Sequence, residues 1–383
     1  MVRRAHPKLR ALGRGMVRLA TVVIALEIIL QGCCWWGGEQ GQILTWTLLV
    51  PWFPVPREKG WWVGNQSVLA DDRRTGWRIS ANVNGVRAGG EGPFLVETNS
   101  KGFRDQEHSY ENPDRRFRIV ALGGDTTFGD GLEESQSYVG RIERSLPGTE
   151  VVNLGVIGYS PDQQYLLLQD EGVRYEPDLV LQFFGWEDIE HAFWANNPLL
   201  GRKCYLTLDG GGLDIRLPQR QAWEELVLSS RVVVPLKTLA FILRFCFQPE
   251  FALAEPEKLA ERPEAIIRLI YRTQRLCQNH GASYLAVYVP TIQEFLPLPP
   301  KPAREAVRKI LQSLEHQHIL SFVDTTPSFR QAVQDPSQPP AFDPQTQHLR
   351  SHGHRLIAEQ VAAVVSQRFA HRLAASHDQE PSW

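Results

Sequence analysis

Cysteine is scarce in this 383-residue chain, with five in all. Cys33, Cys34, Cys204, Cys246 and Cys277 form no Cys-x-x-Cys pair and no Cys/His ligand spacing, so the sequence predicts no zinc site. Three of them lie beyond the N-terminal segment, an odd number that does not make a disulfide framework. Net charge is also small. A formal charge of -2, with no basic stripe interleaved with aromatics, excludes an electrostatic nucleic-acid surface. No apolar run reaches the ~20 residues of a comfortable membrane span. There is no internal repeat and no low-complexity tract. What remains is ordinary globular material, 43% hydrophobic and 22% charged, long enough for one large domain or two medium ones.

The N-terminus departs from that average. Arg3, Arg4, Lys8, Arg10, Arg14 and Arg18 precede an apolar run over 19–30 that only Glu27 interrupts. A cleaved signal peptide has this basic-then-apolar order. Leu30-Gln31-Gly32-Cys33 also fits a lipidation site at Cys33. An uncleaved anchor is the third reading, with Trp35 and Trp36 in an interfacial aromatic belt and Glu27 near one end of the span. An amphipathic helix fits least, because charge and apolarity are segregated along the chain. The first three readings place most of the protein outside the cytoplasm, with the N-terminus cytoplasmic if the anchor is retained. Residues 1–36 are therefore assigned to a signal or anchor. A second apolar patch over 43–56 is broken by Pro51, Pro54 and Pro56, and either lies at a membrane surface or packs on the main domain.

Residues 60–116 read as short strands and turns, a β-rich lead-in within the segment 37–116. From Arg118 the pattern becomes strand–helix alternation. Strands are expected over 118–122, 151–153, 179–184, 284–289 and 319–323. Helices are expected over 137–146, 162–172, 221–247, 257–280, 303–316 and 355–370, with a loop at Asp209-Gly210-Gly211-Gly212. The alternation predicts an α/β fold, a three-layer α/β/α sandwich around a mostly parallel, doubly wound sheet spanning 117–372. A polar tail over 373–383 closes the chain.

Four motifs stand at strand ends or just before the last helix. They are Gly123-Gly124-Asp125-Thr126-Thr127-Phe128-Gly129, Asn153-Leu154-Gly155-Val156-Ile157-Gly158-Tyr159, Gly185-Trp186-Glu187-Asp188, and Asp343 with His348 ahead of Gly353-His354. The carboxyl ends of parallel strands converge on one crevice. Each motif alone is ordinary turn chemistry: Gly at a strand–helix turn, Asn153 and Asp343 as turn formers, His348 as a surface residue. Their common order at one sheet edge carries the signal.

That order resembles the SGNH (GDSL-type) hydrolase family over about residues 99–370. The lead-in Asn99-Ser100-Lys101-Gly102-Phe103-Arg104 and the N-terminal anchor resemble its membrane-anchored bacterial members. The resemblance implies ester hydrolysis or acyl transfer on carbohydrate or lipid esters, no cofactor, an acylated glycan or lipid as ligand, and a membrane contact through the N-terminus. It also implies a Ser nucleophile, a His base, and an oxyanion hole built from backbone amides and an Asn. Matched residue by residue, His348 fits the base, Gly155 the oxyanion glycine, and Asp188 the residue after the oxyanion Asn. Three positions differ: Asp125 replaces the Ser, Glu187 replaces the oxyanion Asn, and Gln345 replaces the Asp three residues before the His, with Asp343 two residues earlier.

A carboxylate at 125 cannot run Ser–His chemistry, and one at 187 repels an oxyanion where an amide should donate. Loss of one oxyanion donor costs about 3 kcal/mol, a factor of roughly 10² or more in rate. Shifting the first motif by one residue offers Thr126 as an alternative nucleophile. A divalent cation held by Asp125, Glu187, Asp188 and His348 is a further alternative, unspecific in its spacing. The sequence therefore leaves two functions open: a weakened ester hydrolase or acyltransferase, and a non-catalytic relative that binds or scaffolds a glycan in surface-polysaccharide assembly.

Overall fold

In the computed structural model of the chain, the described residues are 62–63, 66–197, 200–209, 212–218, 262–298, 301–344 and 346–377. The N-terminal segment with Glu27 and Cys33, the patch over 43–56, the expected helix over 221–247, Gln345 and the end of the tail lie outside them. Among the described residues, no helix is long and apolar enough to cross a membrane.

Five apolar runs build the central sheet. They are β1 (Phe117–Gly123), β2 (Thr149–Gly155), β3 (Leu179–Phe184), β4 (Ser283–Tyr288) and β5 (Phe322–Asp324). All ladders are parallel and the order is β5-β4-β3-β1-β2. Strands buried on both faces need continuous apolar sequence, and β1 and β3 are buried at every position.

Successive side chains alternate between the two faces. Val120, Leu122, Val180, Phe184, Ala286 and Tyr288 pack on one side with α3 (Pro161–Asp170), α5 (Arg262–Asn279) and α6 (Pro302–His316). Ile119, Ala121, Leu181, Phe183, Leu285 and Val287 pack on the other with α2 (Tyr138–Ser145), α7 (Thr326–Gln334) and α8 (Ser351–Arg368). The result is a three-layer α/β/α sandwich. Each fully buried Val, Leu, Ile or Phe contributes about 1.5–3 kcal/mol, so the two apolar layers hold the fold.

The five expected strands form, the last over Phe322–Asp324 and not the expected 319–323. The structure adds α7, the short α1 (Asp125–Phe128) and α4 (Trp186–His191), and a hairpin of Tyr205–Asp209 with Gly212–Arg216 that flanks the expected loop. Leu206, Leu213 and Ile215 anchor that hairpin on the core with α5.

The lead-in forms antiparallel pairs, Leu69–Asp72 with Gly76–Ile79 and Asn84–Gly89 with Gly92–Glu97. They share a small core with Phe128, Ile157 and Tyr159 beside the carboxyl end of the sheet. Trp77 Nε1 donates to the Ile157 carbonyl at 2.7 Å, and Tyr159 Oη donates to the Trp77 carbonyl at 2.6 Å. The lead-in thus holds the loop after β2.

Strand order places the crevice. From β1 the chain moves to β2 on one side, then crosses to β3 on the other and continues outward to β4 and β5. The connections after β1 and β3 therefore diverge, which opens the sheet at their carboxyl ends. The elements standing at that opening are α1 and α4.

Candidate functional site

Asp125 opens α1, whose N-cap is Gly124. It is half-buried, and its Oδ1 accepts the Gly158 amide at 2.7 Å. Gly158 sits in the loop after β2 with φ +71°, a backbone conformation that suits glycine and turns its N–H toward α1. Across the switch point, Asp188 caps α4, accepting the Gly185 amide at 2.8 Å. Its other oxygen lies 3.5 Å from where a side chain on Gly124 would begin. Asp188 thus lies against position 124, one residue before Asp125.

Burial raises the Asp125 carboxyl to about 6, and Asp130 and Glu187 add to the effect against His348 and the Gly158 amide. Burial likewise raises Asp188 to about 7, against the Gly185 amide and reinforced by Asp125 and Glu187. Glu187 is raised by burial and by Glu190, with Lys301 and His348 opposing. Asp130 is raised by burial, with Arg87, His348 and Arg104 opposing. Of these carboxylates, Asp130 is the one that His348 meets at close range. Its ring Nδ1 lies 3.7 Å from Asp130 Oδ2, and its side chain is 44% exposed.

The other expected site residues fall as follows. Thr126 is half-buried and its hydroxyl engages the buried phenol of Tyr138, which Thr127 also hydrogen-bonds. The Gly155 amide donates to Asn153 Oδ1 at 2.9 Å, within its own strand end. A side chain on Gly155 would begin 2.5 Å from the Thr127 carbonyl carbon, so this glycine lets α1 lie directly on β2. Asp343 organises a turn: its Oδ1 accepts the Thr346 amide at 2.9 Å and its Oδ2 accepts from Arg350 at 3.2 Å. That turn is closed by the Asp343 amide donating to the His348 carbonyl at 2.8 Å, with Gln347 at φ +63°. Asp343 therefore places the His348 backbone.

Two crevice residues escaped the sequence reading. Gly158, and not Gly155, presents its amide to position 125. Gly155 ends β2 and Gly158 follows it within one motif, and only the turn geometry separates their roles. Asp130 is the residue that pairs with His348; it follows Gly129, which closes α1 in the left-handed conformation. Arg104 also contributes from the lead-in. It is 2% exposed and donates to the carbonyls of Phe128 (3.2 Å), Gly129 (2.5 Å), Leu132 (2.7 Å) and Leu95 (2.5 Å), which caps α1 from below. Among the described residues, no group of three or more His, Cys, Asp or Glu is arranged to hold a metal ion.

No protein-family model matches the chain, and no curated protein matches it. Solved structures do. A lipolytic protein of the G-D-S-L family from Veillonella parvula DSM 2008 is 12% identical, with 65% of this chain and 98% of that chain covered and a TM-score of 0.41. The lipase/acylhydrolase from Enterococcus faecalis is 15% identical, with 66% and 96% covered and a TM-score of 0.38. LAE5, an alpha/beta hydrolase enzyme from the metagenome of Lake Arreo, Spain, is 14% identical, with 65% and 94% covered and a TM-score of 0.40. The chain is similar to these structures at low identity and low TM-score.

Proposed function

We propose that the crevice between α1 and α4 binds a hydroxyl-rich ligand, a glycan or glycan ester, without serine-type covalent catalysis, in an exported protein tethered through its N-terminus. The observation that carries this reading is the 2.7 Å hydrogen bond from the Gly158 amide to Asp125 Oδ1. A donor that would stabilise an oxyanion is already taken by the carboxylate in the nucleophile position. His348 is paired with Asp130 beside it. Asp125, Asp130, Glu187 and Asp188 are acceptors suited to sugar hydroxyls. The basic cluster, the apolar run over 19–30 and Cys33 support export and tethering.

The experiment sets purified protein against short-chain acyl esters and acetylated oligosaccharides, with binding followed by calorimetry. The proposal expects saturable oligosaccharide binding that Asp125→Ala abolishes, and no ester turnover above background. Turnover that disappears in Thr126→Ala and His348→Ala would sink it in favour of an ester hydrolase using Thr126. Asp125→Ser with Glu187→Asn tests how far the crevice has diverged, since hydrolysis by that variant would mean two residues separate binding from catalysis.

One observation favours a second reading. Asp125 at about 6 and Asp188 at about 7 exchange protons near neutrality, the range useful for general acid–base work. That reading expects hydrolysis of a glycosidic or ester bond with a bell-shaped pH profile set by the pair, lost in both Asp125→Asn and Asp188→Asn.

A further inference from the structure

Lys203 and Asp162 form an ion pair with neither side chain exposed to solvent. Burying both charges is costly unless every donor and acceptor is met. Here they are met. The Lys203 ammonium donates to Asp162 Oδ2 at 2.8 Å and to the carbonyls of Cys204 (2.5 Å), His191 (3.2 Å) and Trp194 (3.5 Å). Asp162 Oδ2 also accepts from Cys204 Sγ at 3.2 Å, and Asp162 Oδ1 accepts the Ser160 hydroxyl at 2.6 Å.

The partners belong to two different walls of the crevice. Ser160 and Asp162 start α3, two and four residues after Gly158. His191 ends α4, three residues after Asp188, and Trp194 follows it. One ammonium therefore ties the loop behind Gly158 to the far end of the helix that begins with Glu187 and Asp188. The segment around it is anchored independently: the Lys203 amide donates to the Ala195 carbonyl at 3.0 Å and the Leu206 amide to the Ala192 carbonyl at 2.7 Å. Trp77 fixes the same Gly158 loop from its other side through the Ile157 carbonyl.

We infer that Lys203 is a positioning residue of the crevice, whose buried ammonium sets the separation between the Gly158 loop and the α4 helix. It deepens the proposed function only in taking this crevice as the ligand site. The pair touches no crevice carboxylate directly. Its effect runs through backbone, which makes it separable from ligand chemistry.

The test uses the full chain with Lys203→Met combined with Asp162→Asn, so that no unpaired charge is left buried and the amide oxygen still accepts from Ser160. Amide hydrogen exchange is compared with the unmodified protein. The expected result is about tenfold faster exchange at Gly158 and over 189–192, with β1 and β3 unchanged. The titration midpoint of Asp125, read by carboxyl NMR, should fall toward the ordinary carboxylate range as water enters the loosened crevice. Unchanged exchange at both walls in the folded variant, or acceleration spread equally over the sheet, overturns the inference. A measurement on the unmodified protein stands beside it. Under mild denaturant, the Gly158 and Ile189 amides should open in one cooperative step, and opening at clearly different denaturant concentrations overturns the coupling. Absence of oligosaccharide binding would remove the ligand reading and leave both exchange results to be judged alone.

Discussion

The two ends of the central sheet treat charge in opposite ways. At the amino end of β1 and β2, Arg118 is 1% exposed. It donates to Glu150 Oε2 at 2.7 Å and to the carbonyls of Tyr110 (2.7 Å), Tyr175 (2.8 Å) and Glu111 (3.0 Å). His108 continues the network, with Nδ1 2.6 Å from Glu150 and Nε2 3.1 Å from Asp105. Cations and anions alternate along the network. At the carboxyl end, Asp125, Asp130, Glu187 and Asp188 stand on or just after α1 and α4, and burial raises every one of these carboxyls. Balanced buried charge serves the fold. Acid that burial holds above its ordinary range at a strand end costs stability and is the arrangement expected where a ligand is to be met.

The sharpest way to break this contrast is at the balanced end. Arg118→Met leaves Glu150 beside an apolar chain and should cost about 3–5 kcal/mol in denaturant unfolding, as expected for removing one partner of a buried pair. A loss below about 1 kcal/mol would mean that the network is ornamental.

Next in size is a pH effect at the same end. Burial lowers the His108 pKa, but the hydrogen bonds its ring donates to Asp105 and Glu150, with their charge, more than reverse this, giving about 9 against an ordinary 6.5. A pKa raised by folding stabilises fully below the unfolded value and loses that contribution as pH rises through the folded one. Stability should therefore decline between about pH 6.5 and 9, by up to roughly 3 kcal/mol. His108→Gln should flatten that slope, as read from unfolding midpoints across the pH series.

At the acidic end the same sign rule applies to carboxyls with a different result. Asp125 at about 6 and Asp188 at about 7 hold protons more tightly when folded than when unfolded. Their ionisation therefore removes stability as pH rises from about 4 through those values. Asp125→Asn should raise stability by about 1–3 kcal/mol at pH 8 and leave it unchanged near pH 3. A destabilised variant at pH 8 would place Asp125 among the balanced charges.

The smallest expected effect is at His348. Its side chain is 44% exposed, so His348→Ala should leave unfolding within about 0.5 kcal/mol of the unmodified protein. Oligosaccharide binding should weaken all the same, because the imidazole beside Asp130 is lost.

The sandwich was legible because burial on both faces writes itself into sequence as continuous apolar runs, as in Leu179–Phe184, and helices between them read by their period. The crevice was legible in part. Asp125, Glu187 and His348 stand at strand ends or on the loop before the last helix, and strand ends are predictable. Glycine roles were not. Gly155 and Gly158 are the same residue type three positions apart, and what separates them is which amide turns toward α1. Asp343 shows the same limit: spacing places it near His348, while the carboxylate is spent on Thr346 and Arg350.

By itself, then, the sequence determined the layers, the order of motifs along the chain and the presence of a carboxylate at 125, because these depend on residue type and local period. Tertiary structure decided that Asp125 takes the Gly158 amide, that His348 faces Asp130, and that Lys203 joins Asp162 to the end of α4. Each of those pairings spans a crossover of the sheet, and hydrogen-bond direction there depends on how two loops meet in space.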